Sequence, residues 1–187
     1  MIYGIAEVVC DVRVALDQNN TSEQLLSTGD IDTLSLEEII RSKIEDAARR
    51  VETVAPVYLL EEGHNFGDAV FWEDLESGWV LLPDDFMRLI AFRMSDWERT
   101  IYSAISADDP LYQKQSSRYK GIRGTAQKPV CAIVSRPEGK ALEFYSCKSK
   151  DAYVSRGQYI PYPRIDKYGG IDISERCYRA TIYTAAA

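Results

Sequence analysis

Histidine is almost absent from this chain: His64 stands alone among 187 residues. A Ser/His/Asp or Cys/His catalytic arrangement would have to be built on that one side chain, and its surroundings, EEGHNFGD, contain no nucleophile elbow. His64 lies beside Glu61, Glu62 and Asp68, acids that could attract a hard cation. The HExxH and EF-hand spacings are missing, however, so the stretch reads as a solvated acidic loop. Cysteine is scarce too. Cys10, Cys131, Cys147 and Cys177 are too far apart for CxxC metal knuckles and too few for a disulfide scaffold, so four free thiols and synthesis in a reducing cytoplasm are expected. No run approaches the roughly 20 apolar residues of a membrane span. Glu7 and Asp11 interrupt the only N-terminal stretch that could mimic a signal peptide's apolar region. Gly121-Ile122-Arg123-Gly124 has the GxxG spacing of a nucleic-acid clamp but lacks the following Lys-Ser/Thr of a P-loop, and reads as a flexible loop. These gaps exclude a membrane protein and leave no catalytic, cofactor-binding or metal-ligating residue to assign, so a protein that is not an enzyme and carries no cofactor is expected.

What the chain does have is a charge divided by position. Residues 1 to 110 hold 23 acidic and 8 basic side chains, a net of −15, whereas residues 111 to 187 hold 14 basic and 6 acidic, a net of +8. Opposite potentials on one chain steer copies of it together and suppress wrong pairings, which points to ordered assembly or to a highly charged partner. With 45% hydrophobic residues, the chain has enough apolar surface for one sizeable core.

The apolar spacing predicts helices. Over residues 3 to 17, Ile5, Val8, Val9, Val12 and Leu16 fall on one helical face. The run DQNNTSEQLLSTGDIDT then loses the pattern and reads as a connecting loop. Ser35 and Glu38 have capping-box spacing and open a second helix with Leu36, Ile39, Ile40, Ile44, Ala47 and Val51 on its core face, ended by Pro56. WVLL at 79 to 82 suits a strand. After Pro83, the residues Phe86, Leu89, Ile90, Met94, Trp97, Ile101 and Ile105 recur every three or four positions. They predict a central helix whose start is capped by Asp84 and Asp85, a role preferred over a catalytic pair. Its core residues are Phe86, Ile90, Met94, Trp97 and Ile101. Asp108 and Asp109 at its C-terminal end would oppose the dipole, so a neighbouring arginine or lysine is expected there.

Past Pro110 the character changes. Lys114, Arg118, Lys120, Arg123, Lys128 and Arg136 occur without one acid between residues 111 and 137, interleaved with Tyr112, Tyr119, Gly121 and Gly124, and predict a mobile basic loop. VCAIVS (130 to 135) and ALEFYS (141 to 146) flank a Pro- and Gly-containing turn and predict a β-hairpin. Residues 153 to 170, with two X-Pro pairs, read as extended, and a last helix is expected from Asp172 or Ser174 onward. The expected fold class is α+β, mainly α: an amphipathic helical core over 1–110 with the final helix 172–187 packed on it, and a basic loop, small β-hairpin insertion and extended arm over 111–171.

VCDVRVALDQN in the first helix, the Ala55-Pro56 helix end, VLLPDDFMRLIAFRMSDWERTI, the basic YKGIRGTAQKP, and a final helix entered through YPRID and IDISERCYRATIYTAAA resemble the head-tail connector proteins of tailed bacteriophages. The likeness extends to the ring proteins of crAss-like phages. The resemblance implies a structural virion protein: a non-enzymatic subunit of a neck ring, twelvefold, that docks beneath the portal and bridges it to tail components. Its partners would be copies of itself, the portal protein and other neck or tail proteins, in the neck region of a virion made in a bacterial cytoplasm. On the residues themselves, the basic stretch, Lys114, Arg118, Lys120, Arg123, Lys128 and Arg136, fits either an interface arm meeting a neighbour's acidic half or a surface near packaged DNA. Phosphate contacts need only charge. The alternative function is a DNA-binding or DNA-processing accessory protein using the same residues.

Overall fold

The computed structural model describes residues 1–16, 35–61, 63–119, 121–145 and 147–187; the loop expected at 17–33 and Lys120 lie outside them. In chain order these form β1 (Ile2–Gly4), α1 (Ile5–Ala15), α2 (Leu36–Val54), β2 (His64–Asn65), β3 (Phe71–Trp72), β4 (Gly78–Leu81), β5 (Phe86–Met94) and β6 (Ile105–Ser106). There follow α3 (Pro110–Lys114), β7 (Cys131–Arg136), β8 (Gly139–Phe144), β9 (Val154–Pro161), β10 (Gly170–Asp172) and α4 (Tyr178–Ala186), with 3-10 turns at Val57–Leu59 and Glu175–Cys177. They make two compact units, Met1–Glu61 with Tyr162–Ala187, and Glu62–Pro161.

The first unit is helical. Val8 and Val12 of α1, Ile40 and Ile44 of α2, and Ile182 of α4 meet around Ile171 and Ile173, with β1 and β10 paired antiparallel beside them. Full burial of a side chain such as Ile44 contributes roughly 1.5 to 3 kcal/mol. The capping box opens α2: the Glu38 N–H donates to Ser35 Oγ at 3.3 Å and the Ser35 N–H to Glu38 Oε2 at 2.8 Å. Ile39, expected on the core face, is 42% exposed, while Ala48 and Glu52 are buried instead. The apolar stripe is therefore rotated slightly towards the 40-44-48 line, the ordinary i, i+4 geometry of a helix face.

The second unit is built from strands. A five-stranded sheet has the order β3-β4-β8-β7-β6, and a three-stranded sheet has the order β2-β9-β5. Their side chains share one core, in which Val80, Leu142 and Phe144 of the larger sheet meet Phe86, Phe92 and Met94 of the smaller. The expected hairpin is present, Cys131–Arg136 against Gly139–Phe144, but it occupies the interior of the larger sheet rather than an insertion. Gly139 turns the chain at a φ of +134°, a backbone conformation that costs glycine little and other residues much. The fold is thus mixed α+β, with four helices and ten strands in three sheets among the described residues. It is not mainly α with a small hairpin.

The largest correction falls on residues 84 to 105. Phe86–Met94 is a nine-residue strand antiparallel to β9, and its pairing shifts register between Phe86 and Arg88, Leu89 and Ala91, and Arg93 and Met94. Each irregularity adds a residue to one strand, so the buried positions fall at 86, 89, 91, 92 and 94 instead of at every second residue. Three-residue steps made by bulges imitate a helical face. The chain then turns at Met94–Trp97, where the Trp97 N–H donates to the Met94 carbonyl at 3.1 Å, and Phe92 and Ile101 exchange both backbone hydrogen bonds at 2.8 Å. Of the expected core residues, Phe86, Met94 and Trp97 are buried, and Ile90 and Ile101 are partly so.

Related expectations change with it. Asp84 and Asp85 stand in a turn before a strand, not at a helix start, and Asp85 accepts the Tyr159 hydroxyl at 2.9 Å. Asp109 precedes a helix rather than following one: it caps α3 by accepting the Leu111 N–H at 2.8 Å, with Pro110 at the first helical position. Acids there favour the dipole, so the reason for an answering cation disappears. His64 pairs with Tyr159 in β2 rather than lying in an irregular loop.

Candidate functional site

The basic stretch starts on α3, one short helix turn set up by Asp109 and Pro110. Tyr112 and Gln115 face inward, and Lys114 and Arg118 are exposed, as are Tyr119, Ile122 and Lys128. Gln115 is buried and ties the stretch to itself: its Nε2 donates to the Leu111 carbonyl at 2.8 Å, and its Oε1 accepts the Gly124 N–H at 2.7 Å. The Glu98 N–H donates to the Ala126 carbonyl at 3.0 Å, anchoring the far end. Arg123 has a side chain only 3% exposed and lies 3.7 Å from Glu76. It is a fixed internal cation, not a surface one. The structure therefore brings Lys114, Arg118 and Lys128 to the surface and separates Arg123 from them.

Arg136 ends β7 and belongs to a second group. Its Nε and Nη2 donate to Glu143 Oε1 at 3.1 and 2.5 Å, and Nη2 reaches Glu73 at 2.7 Å. The guanidinium also lies 4.9 Å from the Trp79 ring centre. Burial works against its charge, but the hydrogen bonds of Glu143 and Glu73 outweigh that and hold its pKa above the ordinary value. The other Glu143 oxygen accepts the hydroxyls of Tyr145 at 2.6 Å and Tyr112 at 3.2 Å. Burial, and then the adjoining carboxylate, raise the pKa of both phenols, so they stay neutral donors.

Glu73, Tyr112, Arg136, Glu143 and Tyr145 line an open cavity of about 680 Å³, together with Asp74, Leu75, Ser77, Gln115 and Ser116. Its rim is the 73–77 turn, where Leu75 and Glu76 take φ values of 62° and 53°. The turn is held by hydrogen bonds from the Glu73 N–H to the Ser77 carbonyl at 2.8 Å and from the Cys147 N–H to the Glu76 carbonyl at 2.9 Å. The group has hydrogen-bonding and ion-pairing capacity. Burial raises the thiol pKa of Cys131 well above its ordinary value, and burial together with Asp96 pushes that of Cys147 up to about 12, so neither is a ready thiolate. Among the described residues no group of three or more His, Cys, Asp and Glu is arranged to hold a metal ion, and no helix is long and apolar enough to cross a membrane.

Sequence reasoning passed over Glu73, Trp79, Glu143 and Tyr145, and placed Tyr112 only as an aromatic within the basic stretch. A signal for part of the set exists: alternation along ALEFY puts Glu143 and Tyr145 on the face opposite Leu142 and Phe144. Cross-strand register then places Trp79, Glu143 and Ala132 in one row across β4, β8 and β7. That row exists only once the strands are paired. The sequence matches no protein-family model and no curated protein.

Proposed function

We propose that the protein is a structural subunit of a homo-oligomeric ring in the neck of a tailed bacteriophage, docking beneath the portal and bridging it to tail components. The observation that carries this reading is the charge division, −15 over residues 1 to 110 and +8 over the rest. It is joined by the exposure of Lys114, Arg118 and Lys128 on one surface stretch. The fold distributes both stretches over each compact unit, so the contacts this reading calls for are between acidic and basic side chains of neighbouring copies, which close into a ring when a head-to-tail rotation allows. The order of the helices quoted for the resemblance to connector proteins adds support, carried by α1, α2 and α4. The stretch LPDDFMRLIAFRM no longer contributes, since it supplies a strand.

The test is electron microscopy of the purified protein with its cognate portal. Closed rings seated on the portal are the expected result, and unattached monomers alone would remove the assignment. A DNA-binding accessory role predicts something different: affinity for double-stranded DNA that falls steeply with salt, because phosphate contacts release counterions.

A further inference from the structure

We infer that residues 121–128 form a strap that opens, carrying Arg123 out of the interior, and that the contact between neighbouring copies uses the open strap. Opening stands on this chain alone, whereas its use between copies rests on the ring reading.

Arg123 is a buried charge short of partners. Its side chain is 3% exposed, its Nε has no hydrogen-bond partner, and its one ion-pair contact among the described residues is Nη2 to Glu76 Oε2 at 3.7 Å. N–H···O hydrogen bonds ordinarily end near about 3.2 Å, so this contact is not one. Glu76 is itself 41% exposed, and water competes for its carboxylate. Arg136 shows what a well-held guanidinium has in the same fold: short contacts to Glu143 and Glu73, and the Trp79 ring beneath. A guanidinium taken out of water without hydrogen bonds raises the free energy of the state that buries it. Here that state is the closed strap, and opening returns the charge to solvent.

The strap is also lightly attached. Among the described residues, two hydrogen bonds tie it to the rest of the fold: the Gly124 N–H to Gln115 Oε1 at 2.7 Å, and the Glu98 N–H to the Ala126 carbonyl at 3.0 Å. Its other backbone bonds are local, from the Ile122 and Arg123 N–H groups to the Tyr119 carbonyl at 3.0 and 3.4 Å and from the Thr125 N–H to the Lys128 carbonyl at 3.0 Å. It belongs to no helix or strand. Ile122 is 54% exposed, and Ala126 is the strap residue in the hydrophobic core. A segment with few buried apolar contacts and mostly local hydrogen bonds opens without unfolding its surroundings.

Opening changes what the surface offers. Lys114, Arg118 and Lys128 are exposed already, and Arg123 joins them in a stretch that contains no acid. Acidic side chains of a neighbouring copy interact with Arg123 only in the open state, so assembly draws the equilibrium towards it.

Hydrogen exchange on the full-length protein, read at the Gly124 and Glu98 amides, tests this. In the wild type both are expected to exchange together, about a hundredfold or more faster than the paired amides of β7 and β8. Arg123→Met puts an apolar chain in the buried position and leaves Glu76 in solvent. It should slow exchange at both amides by about tenfold or more and weaken assembly on the portal by a similar factor. Wild-type amides at Gly124 and Glu98 as slow as those of the hairpin would overturn the inference without any variant. Unchanged or faster exchange in Arg123→Met would overturn it too, by showing that the guanidinium is satisfied where it lies, by a bound water or otherwise. Slowed exchange with assembly as in the wild type would sink the use of the strap between copies while leaving the ring standing. Wild-type protein that never assembles, with or without portal, would remove the ring reading, and the exchange result would still decide whether the strap opens.

Discussion

Arg136 and Glu143 are joined twice over: both Nε and Nη2 of the guanidinium donate to the single oxygen Oε1, at 3.1 and 2.5 Å. The two residues lie on adjacent strands of the hairpin, with the Glu143 side chain only 11% exposed. Removing the cation leaves a largely buried carboxylate with only the two tyrosine hydroxyls as partners. Arg136→Ala is therefore expected to cost about 2 to 4 kcal/mol, and Arg136→Met, which restores packing over Trp79 without the charge, should recover only part of it. Chemical denaturation of the three proteins checks both statements.

Trp97 is 1% exposed and packs edge-on against Phe92 and Phe144, with ring centres 5.7 and 6.3 Å away. Trp97→Ala should lower stability by about 3 to 5 kcal/mol. Glu98, next in sequence, is 53% exposed with a long 3.8 Å pair to Lys148, and Glu98→Ala should change stability by less than about 0.5 kcal/mol. A thermal melt of Trp97→Ala that matched wild type would place the residue outside the core.

Two glycines give opposite expectations for the same substitution. A Cβ on Gly157, in β9, would lie 2.3 Å from the Phe66 carbonyl oxygen, whereas one on Gly121 meets nothing within 4 Å. The first clash is with backbone, so β9 itself must shift. Gly157→Ala is expected to destabilise by more than about 2 kcal/mol and Gly121→Ala to be near neutral. Equal melting temperatures for the two variants would contradict the close approach at Gly157.

Glu52 supplies a pH dependence. Burial raises its carboxyl above the ordinary value of 4.5, and the N–H of Ser174, at 2.9 Å, pulls it part of the way back. The folded chain therefore keeps this proton to higher pH than the unfolded chain. The group's contribution is most favourable below 4.5 and is lost as pH rises through the raised value. Glu52→Gln keeps an oxygen for the Ser174 N–H and cannot ionise. It should match wild type at about pH 4 and melt higher at pH 7. A variant less stable than wild type at pH 7 would show that the carboxylate is worth its burial.

Several elements were legible in the sequence because their causes are local. Ser35 and Glu38 satisfy each other's backbone within one helical turn, whatever the rest of the chain does. The α1 face of Val8 and Val12, and the turn before Gly139 that makes β7 and β8 a hairpin, likewise need only neighbours a few residues away. The charge division is a property of the sequence alone.

Residues 86 to 94 were not legible in this way. Their spacing satisfies a helix, and only pairing with β9, some 65 residues later in the chain, makes them a strand, in which Met87 and Ile90 are the extra residues of β5. The meaning of Asp109 reverses for the same reason: a carboxylate next to proline is unfavourable at the end of one helix and favourable at the start of another. Arg123 and Lys128 look alike in sequence, yet the fold buries one beside Glu76 and leaves the other in solvent. The sequence by itself determined the Ser35–Glu38 cap, the hairpin turn and the sign of the charge on each stretch of the chain, since these rest on interactions within a few residues or on composition. Only the tertiary structure decided which strands pair, which cations reach the surface, and that Glu73, Arg136 and Glu143 line one cavity, because each depends on partners that chain order keeps apart.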